Sequence, residues 1–342
     1  MRRAVVTGCS GFIGFHVTRR LLARGFRVVG VDNLSDYYDV GLKRSRQAIL
    51  EAEPGFSVIN GDIMAPGLLH RLFDDHRPEI VVHLAAQAGV RLSTESPRAY
   101  LESNIAGTFE LLEAARSFPP AHMLLASTSS VYGANTVMPY AEAHPTDHPI
   151  SFYAATKRAT EAMAHSYAHL YRLPVTMFRF FTVYGPWGRP DMALFKFTRA
   201  ILRGEPIDLY NGGELRRDFT YIDDLVEALF RLMDTVPVRP EDGVVPGGDS
   251  LSPVAPWRVV NIGMSSPVGL NDFIATIERA TCRTAKRNLL PMQQGDVPAT
   301  WADSGLLTRL VGSIPKTDLD VGVRAFVDWY RCRYEREILL AP

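Results

Sequence analysis

The sequence predicts an α/β fold in which a doubly wound parallel sheet is followed by a smaller, mixed α/β part. Short apolar runs rich in Val and Ile alternate with longer helical patterns through the first half of the chain. These runs are apolar at consecutive positions, which is typical of strands that helices cover on both faces. After Phe181, closely spaced glycines and prolines interrupt the alternation, and short strands then mix with helices.

The predicted elements follow one another as strand–helix–strand units. Strands are predicted at residues 4–7, 27–31, 56–60, 80–84, 122–127 and 175–180, and later at 207–210 and 258–262. Helices are predicted at 12–24, 104–117 and 153–171, where apolar residues recur with helical spacing. The stretch 237–256 contains repeated Pro and Gly and is predicted to be an exposed loop.

The change of pattern at residue 181 predicts two domains. Residues 1–180 would form the sheet domain, which segments near 215–235 and 257–263 would rejoin, and residues 181–342 would form the smaller domain. A length of 342 residues suits this division, since a domain takes roughly 150 residues.

Composition and charge exclude several classes of protein. Lys plus Arg and Asp plus Glu each number 37, which leaves no basic excess for nucleic acid or an anionic membrane. The 46% of hydrophobic residues excludes disorder for most of the chain. Cys9, Cys282 and Cys332 are too scattered for a disulfide framework, and no apolar run is long enough to span a bilayer. We therefore expect a soluble, cytoplasmic protein.

A glycine-rich turn lies between the first predicted strand and the first helix. Gly8, Gly11 and Gly14 have the spacing GxxGxxG in the segment VVTGCSGFIG. Side chains there would block the tight turn and the approach of a pyrophosphate, which free N–H groups at a helix N-terminus stabilise. The turn predicts the dinucleotide site of a Rossmann-type domain, and ordinary turn glycines are the alternative.

Two aspartates indicate which dinucleotide binds. Asp32 ends the second strand, 18 residues after Gly14, where a carboxylate accepts hydrogen bonds from the ribose hydroxyls and repels a 2′-phosphate. Asp62 follows the third strand, where it could meet the adenine. NAD is therefore predicted, although Lys43 and Arg44 would suit the phosphate of NADP.

A tyrosine, a lysine and a run of hydroxyl residues predict acid–base chemistry. Tyr153 and Lys157 are four residues apart in SFYAATK and share one face of a helix. A neighbouring ammonium lowers the pKa of a tyrosine from about 10 and makes its phenolate a usable base. Hydroxyl residues at 127–130 follow a strand, at the sheet edge where ligands bind in open α/β folds, although some of them could only cap their own turn.

These motifs resemble those of the extended short-chain dehydrogenase/reductase family, in its sugar-nucleotide branch, over nearly the whole chain. The resemblance implies that Thr128, Tyr153 and Lys157 are catalytic, with the tyrosine as acid/base and the lysine orienting ribose and tuning the tyrosine. It also implies bound NAD. The residues implied for the cofactor are Gly8, Gly11, Phe12, Ile13, Gly14, Asp32, Asn33, Asp62, Ile63, Leu84, Ala85, Ala86, Tyr153 and Lys157.

The resemblance also implies a reaction. In this branch a hydride passes from C4 of the sugar to NAD while the tyrosine takes the O4 proton. Dehydratases and decarboxylases of the branch carry an acidic residue two places before the tyrosine of the VYG segment, where this chain has Ser130. Return of the hydride to the opposite face of C4, an epimerisation, is therefore the expected outcome.

Further segments indicate the sugar. TVYGPWGRPDM, DNLSDYYD and QAGVR are similar to the corresponding parts of family members that act on UDP-glucuronate. This implies conversion of UDP-glucuronate to UDP-galacturonate, with Arg189 offering a bidentate fork to the sugar carboxylate. The residues implied for the substrate are Thr128, Ser129, Ser130, Thr182, Arg189, Arg217, Gln293 and Asp296.

Other functions stay open at this point. A decarboxylase acting on UDP-glucuronate and an epimerase acting on UDP-glucose would share the first step. A dinucleotide-binding scaffold would keep the glycine turn without the chemistry, and the retention of Thr128, Tyr153 and Lys157 speaks against it. No metal is expected, because His165 and His169 lack both the glutamate of a HExxH site and a third ligand.

A homodimer is expected from the resemblance. A stripe of apolar residues and the helix at 153–171 could form a four-helix bundle between two copies, as in dimers of the family. The stripe consists of Tyr100, Ile105, Leu111, Leu112 and Ala115. Packing of this stripe against the sheet of its own chain is an equal alternative.

Overall fold

The computed structural model describes residues 2–292 and 297–339. Its strands are β1 (Arg3–Thr7), β2 (Arg27–Asp32), β3 (Phe56–Asn60), β4 (Ile80–His83), β5 (His122–Ala126), β6 (Val175–Phe180), β7 (Thr182–Tyr184), β8 (Pro206–Tyr210), β9 (Arg216–Tyr221), β10 (Trp257–Ile262), β11 (Pro267–Gly269), β12 (Lys286–Leu290) and β13 (Ala299–Thr300). Its α-helices are α1 (Phe12–Ala23), α2 (Val40–Glu51), α3 (Leu68–His76), α4 (Leu92–Glu95), α5 (Pro97–Tyr100), α6 (Gly107–Ser117), α7 (Phe152–Tyr171), α8 (Ala193–Arg203), α9 (Ile222–Leu232), α10 (Leu270–Thr281), α11 (Gly305–Val311) and α12 (Leu319–Leu339). None of these described helices is long and apolar enough to cross a membrane.

The largest sheet is parallel and has the strand order β3-β2-β1-β4-β5-β6-β10. The chain builds outwards from β1 in one direction and then returns to β4 to build in the other. The predicted doubly wound fold is therefore confirmed. β10, although late in the sequence, pairs with β6 at the edge of this sheet.

Alternation along β1 explains why helices cover both faces of the sheet. Ala4 and Val6 pack in the core beneath α1 and α9, whereas Val5 packs in the core beneath α3, α6 and α7. Because successive side chains of a strand point to opposite faces, an unbroken apolar run supplies both cores. Burial of each large apolar side chain contributes roughly 1.5–3 kcal/mol to folding.

The part of the apolar stripe that lies on α6, Leu111, Leu112 and Ala115, packs against the sheet of its own chain. Tyr100, Leu111, Leu112 and Ala115 are completely buried without a second copy, while Ile105 is half-buried. Intramolecular packing is therefore the correct alternative for this stripe. A contact between two copies has to use other side chains.

A π-helical turn, Leu101–Ala106, lies between α5 and α6. The predicted start of a helix at residue 104 is wrong, because it falls inside this turn. Asn104 accepts a hydrogen bond from Gln87 N at 2.8 Å and donates to Gln87 O at 3.1 Å and to Thr156 Oγ1 at 3.0 Å. These bonds tie the loop after β4 to α7, and π-helical turns frequently mark functional sites.

Beyond β6 the chain builds smaller sheets. β9 pairs with β7, β11 and β13, and β8 pairs with β12. Helices α8, α10 and α12 share an aromatic core that includes Phe195, Phe219, Phe273 and Phe326. The division into two domains at residue 180 stays a prediction.

The stretch 237–256 contains no helix or strand, as predicted. The two histidines of α7 contact this loop. His165 Nε2 lies 2.8 Å from Ser252 Oγ, and His169 Nδ1 lies 2.8 Å from the carbonyl oxygen of Val254. Both rings therefore have a structural partner in the loop.

Candidate active site

The glycine turn between β1 and α1 is too tight for side chains. Gly8 has a φ of +73°, and a Cβ there would lie 2.7 Å from the backbone nitrogen of Ala85. A Cβ on Gly14 would lie 2.0 Å from the carbonyl oxygen of Gly8. No side chain of the described residues caps the N-terminus of α1, so the N–H groups of its first turn are available to an anion.

A cavity of about 470 Å³, a volume typical of ligand pockets, opens at this turn. Its wall contains every residue implied for the cofactor, namely Gly8, Gly11, Phe12, Ile13, Gly14, Asp32, Asn33, Asp62, Ile63, Leu84, Ala85, Ala86, Tyr153 and Lys157. Thr128 and Arg189 line the same cavity. The glycine turn, the end of β2 and the start of α7 therefore face a single space.

The carboxylates that follow β2 and β3 are held in fixed orientations. Asp32 accepts hydrogen bonds from Ser10 N and Leu34 N, each at 2.9 Å. Asp62 accepts one from the side-chain amide of Asn33, also at 2.9 Å. Asp32 thus lines the cavity with its carboxylate already oriented, as the binding of ribose hydroxyls requires.

The two cations that would suit NADP have different positions. Lys43 lies in the cavity wall, whereas Arg44 is exposed. Lys43 Nζ donates to the carbonyl and the hydroxyl of Ser35, at 2.6 and 2.9 Å, and lies 4.3 Å from the ring centre of Tyr38. Burial lowers the pKa of Lys43, although Asp32 acts to raise it. Lys43 is therefore engaged within the chain, which favours NAD.

Helix α7 brings the tyrosine and the lysine to the cavity. Its N-terminus is capped by Ser151, whose hydroxyl accepts a backbone hydrogen bond at 3.1 Å, so Tyr153 lies in the first turn and Lys157 in the next. Burial raises the pKa of the Tyr153 phenol above its ordinary value, and a hydrogen bond with Thr128 and the charge of Arg189 offset this only in part. The expected lowering of this pKa by Lys157 is therefore wrong for the protein without a bound cofactor. The structure thus brings the hydroxyl, the phenol and the lysine together.

Lys157 is buried and has a carboxylate one turn away. Its Nζ donates to the carbonyl of Ala126 at 3.0 Å, and burial lowers its pKa to about 8, although Glu161 acts to raise it. Glu161 in turn accepts hydrogen bonds from Ser127 Oγ at 2.5 Å and from Arg179 at 2.8 and 2.9 Å. Neither Glu161 nor Arg179 is predicted from the sequence. The four-residue spacing from Lys157 to Glu161 was the available signal.

His83, the last residue of β4, is neutral in this site. Its Nδ1 lies 2.7 Å from Thr7 Oγ1 and its Nε2 lies 3.2 Å from Thr108 Oγ1. Burial and the charge of Lys157 lower its pKa to about 3. At neutral pH the His83 ring is therefore uncharged, and each of its nitrogens lies within hydrogen-bond distance of a threonine hydroxyl.

Arg189 reaches the cavity from the segment after β7, but its fork is not free. Nε and Nη2 donate to the two carboxylate oxygens of Asp191, at 3.0 and 2.5 Å. The Tyr37 hydroxyl donates to Asp191 at 3.0 Å and accepts from Nη2 at 3.3 Å. Burial would raise the pKa of Asp191, but Arg189 holds it below its ordinary value. The expected bidentate fork is already used within the chain, and Nη1, which donates to no acceptor in the described ranges, is left for a ligand.

Other hydroxyls predicted for the substrate lie beside the cavity. The wall formed by the described chain does not include Ser129, Ser130 or Thr182. Ser130 N donates to Thr128 Oγ1 at 3.2 Å, so part of the run caps its own turn. Thr182 lines a small neighbouring cavity together with Arg189. Their contacts with a substrate stay predictions.

The residues predicted for the nucleotide are only partly described. Arg217 lies on β9, outside the wall of the large cavity, and its Nη1 donates to the carbonyls of Arg216 and Pro298 at 2.9 and 3.3 Å. Gln293 and Asp296 lie outside the described residues. The roles of all three stay predictions.

A doubly wound sheet, a glycine turn and a Tyr153–Lys157 pair beside Thr128 define the class of short-chain dehydrogenase/reductase enzymes. The sequence model of the NAD dependent epimerase/dehydratase family matches residues 4–245, and the chain belongs to this family.

Individual relatives extend over the whole chain. The chain is 53% identical over 336 residues to the probable UDP-glucuronate 4-epimerase of Rhizobium meliloti (strain 1021), covering 98% of each. It is 48% identical to UDP-glucuronate 4-epimerase 4 of Arabidopsis thaliana, over 96% of this chain and 75% of that one. The crystal structure of UDP-glucuronic acid 4-epimerase from Bacillus cereus, in complex with UDP-glucuronic acid and NAD, matches with a TM-score of 0.86 and 31% identity, over 97% of this chain and 100% of that one.

Proposed function

We propose that this protein interconverts UDP-glucuronate and UDP-galacturonate by inverting C4 of the sugar, with tightly held NAD. The observation that carries the proposal is that Arg189, a cation suited to an acidic sugar, lines the same cavity as Thr128, Tyr153 and the glycine turn. The reaction needs a dinucleotide site, a proton-transfer pair and a partner for the carboxylate. The names of the relatives support the same assignment.

The cavity wall fits NAD. The lack of side chains at Gly8 and Gly14 lets the backbone approach a diphosphate, and the N-terminus of α1 offers N–H groups to it. Asp32 would hold the ribose hydroxyls, and the segment from Leu84 to Ala86 would lie along the cofactor. When bound, NAD supplies the acceptor for the C4 hydride and the donor that returns it.

Tyr153 moves the proton at O4 of the sugar. As a phenolate it takes this proton when the C4–H bond breaks, which leaves a transient 4-keto sugar. After the keto sugar has turned over, Tyr153 returns the proton to O4 when C4 is reduced from its opposite face. Thr128, which shares a hydrogen bond with the phenol, keeps the hydroxyls aligned. Lys157 stays an ammonium below about pH 8 and orients the ribose with the donors that it does not give to Ala126.

The residues around the sugar favour epimerisation over loss of water or CO₂. Ser130 occupies the place where dehydratases and decarboxylases of the family carry an acid, so no carboxylate is placed there to transfer a further proton. Oxidation at C4 makes a β-keto acid, which loses CO₂ when its carboxylate bond aligns with the ketone. Arg189 Nη1, with the hydroxyls of Thr128, Ser129 and Thr182, would hold the carboxylate out of this alignment.

The UDP part is assigned to the second half of the chain. Arg217 would bind a phosphate and Asp296 the ribose of UDP. Gln293 stands where glucose-type epimerases have an arginine, which favours an acidic sugar. Residues 1–180 would thus form the NAD-binding domain, and residues 181–342 the substrate domain.

The protein is further proposed to be a cytoplasmic homodimer. Leu101 and Phe109, in the π-helical turn and α6, are 46% and 45% exposed. Leu170 and Tyr171, at the end of the neighbouring α7, are also exposed. Large apolar side chains exposed on adjacent helices are typical of an interface. The free thiols among the described residues fit a reducing compartment.

The decisive experiment is incubation of the protein with UDP-glucuronate and identification of the product by NMR. UDP-galacturonate is expected. UDP-pentose would indicate a decarboxylase, turnover of UDP-glucose alone would indicate a neutral-sugar epimerase, and no turnover would indicate a scaffold. Tyr153→Phe should lower kcat by at least about 100-fold, because it removes the acid/base. Tyr171→Phe, at the exposed end of the same helix, is the control that should keep the rate, and full activity of Tyr153→Phe would contradict the mechanism.

A further inference from the structure

A buried arginine, Arg46 of α2, joins the two sides of the site. Its side chain is 0% exposed. Nη1 donates to the carbonyl of Ser10 in the glycine turn at 3.0 Å and to the Tyr38 hydroxyl at 2.8 Å. Nη2 donates to the carbonyls of Trp187 and Gly188, at 2.5 and 3.4 Å. One guanidinium therefore connects the cofactor turn with the segment that leads into the substrate arginine.

Arg46 has no carboxylate partner in the described chain. Its acceptors are three backbone carbonyls and a phenol, no ion pair in the described ranges includes it, and its Nε has no acceptor there. Buried charges are normally paired, because removal of a charge from water is costly. A planar, always charged fork is nevertheless well suited to fixing two backbone segments at once.

The segment held by Arg46 has an unusual backbone. Trp187 has a φ of +61°, in the left-handed region that a bulky side chain rarely adopts. Such conformations persist where surrounding contacts enforce them. Helix α1 contributes to this enforcement, since His16 Nε2 lies 3.0 Å from the Pro186 carbonyl and the Phe15 ring packs 5.4 Å from the Trp187 ring.

We propose that Arg46 is a positioning residue that couples the cofactor site to the substrate site. When the backbone of the glycine turn is held in place, the Ser10 carbonyl holds the Arg46 guanidinium by a hydrogen bond. Arg46 in turn holds the carbonyls of Trp187 and Gly188. Arg189 is the next residue. Asp191 and Tyr37 hold its guanidinium, while the Arg46 link holds the backbone from which the side chain extends, so the placement of the guanidinium for the sugar carboxylate depends on this link as well. Each of NAD and UDP-glucuronate should therefore lower the dissociation constant of the other, and by the same factor, which we call the coupling factor. This inference rests on the proposed function.

The test is the dissociation constant of NAD, measured by equilibrium dialysis with and without saturating UDP-glucuronate. In the unaltered protein, UDP-glucuronate should tighten NAD binding by about fivefold or more. Arg44→Met, which removes an exposed arginine from the same helix, should keep this factor. In Arg46→Met the factor should fall to near one, with a matching rise in KM for UDP-glucuronate and a smaller change in kcat. An unchanged factor in Arg46→Met would overturn the proposal.

A second variant covers the case in which Arg46→Met does not fold. Arg46→Lys keeps the charge, but a single ammonium does not span the Ser10 and Trp187 carbonyls as the fork does, so the factor should fall here too. An undiminished factor in Arg46→Lys overturns the coupling. Epimerisation without any coupling in the unaltered protein contradicts this inference alone, whereas a protein that neither binds nor converts UDP-glucuronate contradicts the proposed function as well.

Discussion

Tyr153 and Arg189 are linked by charge across the cavity. The charge of Arg189 lowers the pKa of the Tyr153 phenol, and the ionised carboxylate of Asp191 beside it offsets part of that charge. Asp191→Asn leaves more positive charge near the phenol, so its pKa should fall. The acid limb of kcat/KM, which reports groups of the free enzyme, should then move to lower pH by about half a unit to one unit.

Arg189→Met should move the same limb in the opposite direction. Loss of the cation removes a stabiliser of the phenolate, so the pKa of Tyr153 rises and the acid limb moves to higher pH. The remaining titratable neighbours of the phenol, Lys157 on its own helix and Tyr100 with a ring-centre distance of 5.9 Å, are the same in both variants. Shifts of equal sign in the two pH profiles, or none in either, would contradict the charge link.

The sequence predicts the side chains that carry the chemistry better than it predicts the residues to which they are hydrogen-bonded. The pairing of Tyr153 with Lys157 is local, so the four-residue spacing on one helix suffices to predict it. Asp191 is only two residues from Arg189, but proximity in sequence does not reveal whether the carboxylate occupies the arginine fork. Glu161 and Arg179 meet only because α7 packs on β6, a contact that no local pattern reports.

At the scale of single elements, the predicted strands agree with the structure to within one residue at each end. Strands buried on both faces are apolar runs with clear limits, so a sequence predicts them well. The start of α6 is different, because Asn104 bonds to the backbone of Gln87 and imposes a π-helical turn. A tertiary contact of this kind overrides the helical pattern, and only the folded structure reveals it.

The exposed surface of α6 and α7 carries the prediction of a dimer. Phe109→Glu places a charge on the exposed apolar surface of α6, so it should convert the proposed dimer to a monomer in size-exclusion chromatography with light scattering. Leu289→Glu is the matched control, since Leu289 is 66% exposed on β12 and should leave the mass unchanged. A dimer that survives Phe109→Glu would show that another surface forms it.

A chain with a net charge of zero can still bind an acidic ligand. The net charge of zero leaves no basic excess for binding a polyanion, but it does not describe where the charges lie. Arg46 and Lys157 are buried at the site, and Arg189 lines the cavity with one donor group unused among the described residues. Composition thus predicts that the chain has no face for a polyanion, whereas only the folded structure shows which cationic side chains lie close enough to bind a small anion.

Stability of the whole chain should report the cofactor. The cavity wall runs from Gly8 to Met192, so a dinucleotide that binds only the folded protein stabilises much of the molecule at once. After bound cofactor is removed, NAD at 100 times its Kd should raise the free energy of unfolding by about 2.7 kcal/mol, seen as a higher Tm. NADP at the same concentration should give a smaller rise, because the Asp32 carboxylate would face its 2′-phosphate. Asp32→Asn should reduce the difference between the rises in Tm that NAD and NADP cause. Equal stabilisation of the unaltered protein by both dinucleotides would contradict the role of Asp32.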